Sequence, residues 1–181
     1  MNTPALGTFE AISLLLRYPD AHYREQIARC AVTLNEREGE AALHVGRFVD
    51  QVSGMPLERL QELFTQAFDL SPLCSLEVGW HLYGEEYARG NFLVAMRGLL
   101  RDHGIEESTE LPDHMTHFLP LLDRLDSGER GDFMERFLTP VLAKMLGAFE
   151  GKDSPFVEVL RAVECAAANS AQVKTEEAIH G

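Results

Sequence analysis

The residues best suited to chemistry in this chain stand close together at Asp113, His114 and His117. A helix would put the two histidines, three positions apart, on one face, and two imidazoles beside a carboxylate make part of a transition-metal ligand set. The same residues also describe the first turn of a helix, with Asp113 favoured by the helix dipole and His114 hydrogen-bonded to a neighbour. His117 has no third strong ligand near it in sequence, so no metal is assigned, and a helical metal-binding protein using His114 and His117 stays as the lesser alternative. The phosphate-binding loop, the dinucleotide fingerprint, the Gly-x-Ser-x-Gly elbow and the His-Glu-x-x-His motif are all absent. Glu and Asp are plentiful but scattered, and no pair stands out for acid–base work. Cys30, Cys74 and Cys165 are odd in number and lack a Cys-x-x-Cys pair, which predicts reduced, mostly buried thiols. No catalytic residue and no cofactor is assigned, and the chain is not expected to be an enzyme. One aromatic cluster, Gly79-Trp80-His81-Leu82-Tyr83-Gly84, could pack in a core or line a groove.

Helices must position these residues, because the apolar side chains recur at helical spacing. Phe9, Ile12 and Leu16 predict a first helix stopped by Tyr18-Pro19-Asp20, and Asp20 is placed to cap a second running to about Leu34. A third is expected from Glu36 to Val52. Leu57, Leu60, Leu63, Phe64, Ala67 and Phe68 trace a fourth, opened by Pro56. Ser71-Pro72 predicts a short helix through Trp80. Phe92, Leu93, Met96, Leu99 and Leu100 trace another, ended by Gly104. Met115, Phe118, Leu119, Leu122 and Leu125 follow. Phe133, Phe137, Val141, Leu142, Met145 and Phe149 form a further run, in which Pro140 must kink the helix or begin a new one capped by Thr139. A last helix is expected from Pro155 to about Ala168. No strict period-two alternation marks a strand. The expectation is an all-α, single-domain globule of roughly eight to ten helices over residues 1–169, with 170–181 as a flexible tail.

Composition narrows the function. The chain has 181 residues, 45% hydrophobic and 25% charged, with a formal net charge of −13. That sign disfavours nucleic acid and an acidic lipid surface, but it can attract a basic peptide. No apolar run reaches the roughly 20 residues of a membrane span. The opening Met1-Asn2-Thr3-Pro4 lacks a basic region and Glu10 interrupts the first apolar stretch, so a cytoplasmic location is expected.

Three stretches together resemble a known family. They are Leu14-Leu15-Leu16-Arg17-Tyr18-Pro19-Asp20; the run from Leu60 to Leu70 with its Phe68-Asp69, followed by Leu82-Tyr83-Gly84 and Arg89-Gly90; and Glu110-Leu111-Pro112-Asp113-His114, similar to a Glu-x-Pro-Asp-His signature. In this order, over about Phe9 to Glu150, they resemble the cytoplasmic assembly chaperones of molybdenum enzymes: the NarJ-type, nitrate reductase delta-subunit branch of the group that includes TorD and DmsD. The resemblance implies an all-helical fold without catalysis. It implies binding of the N-terminal or twin-arginine-like peptide of a molybdoenzyme catalytic subunit, held back until molybdenum cofactor is inserted. The implied client is nitrate reductase, or a selenate, chlorate, dimethyl sulfide or ethylbenzene-type dehydrogenase, and molybdenum cofactor biosynthesis proteins become candidate partners. Carried over by position, Glu110, Pro112, Asp113 and His114 match the signature near the peptide groove. Phe64, Phe68, Asp69 and Tyr83 match its aromatic and acidic wall.

Overall fold

A computed structural model describes residues 5–180, with side chains through Ser170. Helix α1 (Thr8–Ser13) tightens into a 3-10 turn at Leu14–Leu16, because Pro19 drives the preceding residues out of helical backbone. All three leucines are buried, and the buried Tyr23 hydroxyl donates to the Leu15 carbonyl at 2.7 Å. Helices α2 (Tyr23–Asn35) and α3 (Glu40–Val52) follow. Helix α4 (Leu57–Phe64) runs on through a π-turn at Thr65–Asp69, closed by the Leu70 N–H on the Thr65 carbonyl at 3.2 Å. After a 3-10 turn at Pro72–Cys74 come α5 (Val78–Tyr83), α6 (Tyr87–Asp102), α7 (Met115–Arg124), α8 (Ser127–Phe133), α9 (Thr139–Ala148) and α10 (Phe156–His180).

The core is continuous and aromatic at its centre. Phe156, at the start of α10, meets Phe48 of α3 at 5.5 Å between ring centroids, and Phe64 and Phe68 at 5.5 and 5.1 Å. A second stack joins Phe118 of α7 to Phe133 at 5.0 Å, Phe133 to Phe137 at 4.8 Å and Phe137 to Phe92 of α6 at 5.3 Å. Helix α3 packs on α10 and α1 packs on α7. Helix α1 begins where α7 ends: the Asp123 carboxylate accepts from the Glu10 N–H at 2.7 Å, and a Cβ on Gly7 would lie 2.1 Å from Asp123 Oδ2. Glycine is therefore the side chain that lets Asp123 cap α1 from another helix.

The all-α expectation holds; among the described residues the β pairing is confined to one isolated antiparallel bridge, Glu77 with His114. Several boundaries differ from those read in sequence. Pro140 stands in the first turn of a new helix, α9, as one of the two readings expected, but Thr139 is already helical and Leu138, with no side-chain cap, precedes it. The chain stays helical from Ser127 to Ala148, and a π-turn at Met134–Leu138 widens the backbone just before the proline ring. That extra residue per turn accommodates the carbonyl with which a proline otherwise clashes. Ser71 to Trp80 is not one helix: residues 75–77 are irregular or extended, paired through Glu77 with the segment before α7. The third helix starts at Glu40, after a left-handed Glu38 and Gly39. Helix α10 continues past Ala168, its backbone helical to His180. Of the expected tail, 170–181, the side chains from 171 on lie outside the described residues.

Candidate functional site

An open cleft of about 850 Å³ lies between α1, α7 and the π-turn that ends α4. Each wall follows from local sequence. On the α1 side, Glu10 of the helix, Leu6 before it, and Leu14, Leu16 and Arg17 of the turn that follows line the cleft. Thr116, Pro120 and Arg124, four apart on α7, form the floor, while Met115, Phe118, Leu119 and Leu122 of the same helix are buried in the core. The π-turn wall presents Phe64 and Phe68, with ring centroids 5.0 Å apart, and Asp69 at the rim. Tyr18 meets Phe64 edge-on at 5.5 Å and is half exposed. Residues 75–77 and the loop after α6 complete the rim.

Of the eight residues singled out in sequence, the cleft gathers five: Phe64, Phe68, Asp69, Glu110 and His114. The other three do not line it. Tyr83 turns onto Phe92 at 5.4 Å, and Pro112 and Asp113 are buried. Asp113 works as a fastener. Its Oδ2 accepts from the Gly79 N–H at 2.8 Å, and its carbonyl accepts from the Val78 N–H at 3.0 Å. A Cβ on Gly79 would sit 2.6 Å from that carboxylate oxygen and 2.9 Å from Phe92, so glycine is required there. Asp113 thus caps α5 from outside the helix and fixes the 75–77 wall. Burial pushes its carboxyl up from the usual range, opposed by the Gly79 N–H and by Arg89.

The two histidines have separate structural duties. His114 is the N-cap of α7; its Nδ1 takes the Thr116 N–H at 3.3 Å and lies 2.7 Å from Thr116 Oγ1. Burial, helped by neighbouring His117, pushes its imidazole down to about 4. The buried His117 uses both ring nitrogens: Nδ1 donates to the Leu111 carbonyl at 2.8 Å, and Nε2 accepts from the Ser108 N–H at 2.9 Å. It clamps the polar loop onto α7. With both nitrogens engaged, His117 has none left for a metal, and among the described residues no group of three or more ligand-type side chains converges.

The rim carries charge of both signs. Arg124 pairs with Glu10 at 3.6 Å and Glu77 with Arg89 at 2.9 Å. Among the described residues, Asp69, Glu106 and Glu110 line the cleft without an ion-pair partner, as do Arg17 and Arg29. Sequence reasoning missed the floor residues Thr116 and Pro120 and the Leu14–Tyr18 wall. The signal available was a proline inside an otherwise regular helix, at Pro120.

Fold and site define an all-helical protein with an aromatic-walled, charge-rimmed open cleft. The nitrate reductase delta subunit family model matches residues 32–161, and the chain belongs to that family. It is 29% identical over 150 residues to the nitrate reductase molybdenum cofactor assembly chaperone NarJ of Escherichia coli (strain K12), covering 80% of this chain and 63% of that one. It is 25% identical over 179 residues to a probable chaperone of the same description from Bacillus subtilis (strain 168), covering 96% and 94%. The chain thus spans somewhat less than two thirds of the Escherichia coli relative's length. Among the described residues no helix is long and apolar enough to cross a membrane.

Proposed function

We propose that this protein is a cytoplasmic, non-enzymatic assembly chaperone for a molybdenum oxidoreductase, with nitrate reductase the first client. It seats the N-terminal peptide of the client's catalytic subunit in the cleft and holds the apoenzyme until molybdenum cofactor is inserted. Family membership supports the class, and the observation that carries the peptide reading is the cleft itself. A pocket of about 850 Å³ with Phe64, Phe68, Leu14 and Leu16 in its walls suits the apolar face of a short amphipathic helix. The carboxylates of Asp69, Glu106 and Glu110, without ion-pair partners among the described residues, give a basic peptide its complement on a chain of net charge −13.

Calorimetric titration with the N-terminal peptide of the nitrate reductase catalytic subunit from the same genome tests this. Binding is expected, weakening as salt rises from low to physiological ionic strength, because rim charges are screened. Glu110→Gln, at an exposed position, should weaken it by about two- to fivefold, and Phe68→Ala by more than tenfold. Phe68 is also part of the core, so that variant is read only where its circular dichroism matches wild type. Absence of binding to the wild-type protein, or affinity unchanged in both variants, would overturn the reading.

A further inference from the structure

We propose that the client track leaves the main cleft over Tyr18 and continues into a second groove on the outer face of α4, where Glu58 and Glu62 receive basic residues flanking the client's apolar segment. This rests on the peptide reading above and goes beyond it by assigning the cationic flank its own subsite.

The second groove, about 480 Å³, is lined by Tyr18, Glu58, Gln61, Glu62, Gln66 and Leu70, together with Thr65. Tyr18 belongs to both grooves. One side of its ring meets Phe64 in the cleft wall, while half of the residue remains open to solvent. The π-turn explains how one helix serves both grooves, since it turns Phe64 and Phe68 inward and leaves Leu70 outside, 72% exposed. Gln61 donates to the Pro19 carbonyl at 2.9 Å, which holds the Tyr18 turn against α4. The groove is therefore braced between two elements.

Charge decides the occupant. The main cleft mixes arginines with carboxylates, whereas the lining of the second groove holds two carboxylates and no cation. Among the described residues, Glu58 has no ion-pair partner, and Glu62 has only the exposed Arg59 at 3.0 Å. Glu58 and Glu62 are four apart on one helix, where like charges repel. A Lys or Arg side chain there relieves that repulsion and can lie over the Tyr18 ring. A cation attached to an apolar segment already seated against Phe64 reaches this position by passing Tyr18.

The test uses the same catalytic-subunit peptide and a copy in which its Lys and Arg residues are replaced by Gln. Both are titrated at low salt into wild type, Tyr18→Leu and the Glu58→Gln/Glu62→Gln double variant. All three positions are exposed, so folding is expected to be unaffected. The double variant should bind the basic peptide about fivefold more weakly and the neutral copy as wild type does. Tyr18→Leu should weaken both peptides, the basic one more. Equal effects of the double variant on both peptides, or none on either, overturn the second groove while the main cleft stands. Failure of either peptide to bind wild type overturns the cleft and this inference with it.

Discussion

Asp113 shows how a signature residue can serve a site without touching its ligand. Its side chain is fully buried, one oxygen caps α5 through Gly79, and the other has no hydrogen-bond partner among the described residues. Replacing it with Ala removes the cap and leaves the Gly79 N–H unsatisfied, a loss of about 1–3 kcal/mol. Partial offset comes from no longer burying a carboxylate. Chemical denaturation of Asp113→Ala should therefore show lowered stability. Peptide affinity, measured under conditions where the variant is folded, should fall far less than in Phe68→Ala. A fully stable Asp113→Ala with abolished peptide binding would return Asp113 to the cleft surface.

At the scale of elements, the loop from Gly104 to Leu111 forms part of the rim yet has no secondary structure of its own. His117 binds Ser108 and Leu111 of this loop at once. Such a loop opens locally at a free energy set by a few bonds. His117→Ala should raise amide exchange at residues 106–111 by about tenfold or more, with far smaller change in the core of α10. Hydrogen exchange read by mass spectrometry would show it, and unchanged rates in the loop would refute the clamp. The helices themselves were largely legible, because burial on one face imposes the spacing that betrays it. The π-turns were not. They depend on how Pro140 and the Phe64–Phe68 wall meet neighbouring helices, and apolar spacing does not record that.

For the whole molecule, buried titratable groups make stability depend on pH in opposing ways. His114 is held at about 4 in the folded chain against an ordinary 6.5. Between those values the unfolded chain takes a proton that the folded chain refuses, so stability falls as pH drops from about 6.5 toward 4. His81, also pushed down by burial, acts in the same direction. Asp113 and Asp123, pushed up by burial, act oppositely: their contribution is present in acid and is lost as pH rises through their folded values. His114→Asn keeps an N-cap acceptor for α7 and removes the titration. It should flatten the acid loss by on the order of 2–3 kcal/mol in urea titrations from pH 7 to 4. An unaltered profile would show that His114 is not the group refusing the proton.

The sequence by itself determined the helical class, the membership of apolar side chains in the core and the family resemblance later matched by the family model over residues 32–161. Those follow from local periodicity and from short motifs read in order. Only the tertiary structure separated Phe64, Phe68, Asp69, Glu110 and His114, which share a cleft, from Pro112 and Asp113, which support it, and Tyr83, which faces Phe92. Neighbours in sequence such as Asp113 and His114 part company because adjacent side chains point in different directions at a helix start. Asp113 is drawn inward by a distant element, at Gly79, whereas His114 bonds within its own helix start, to Thr116.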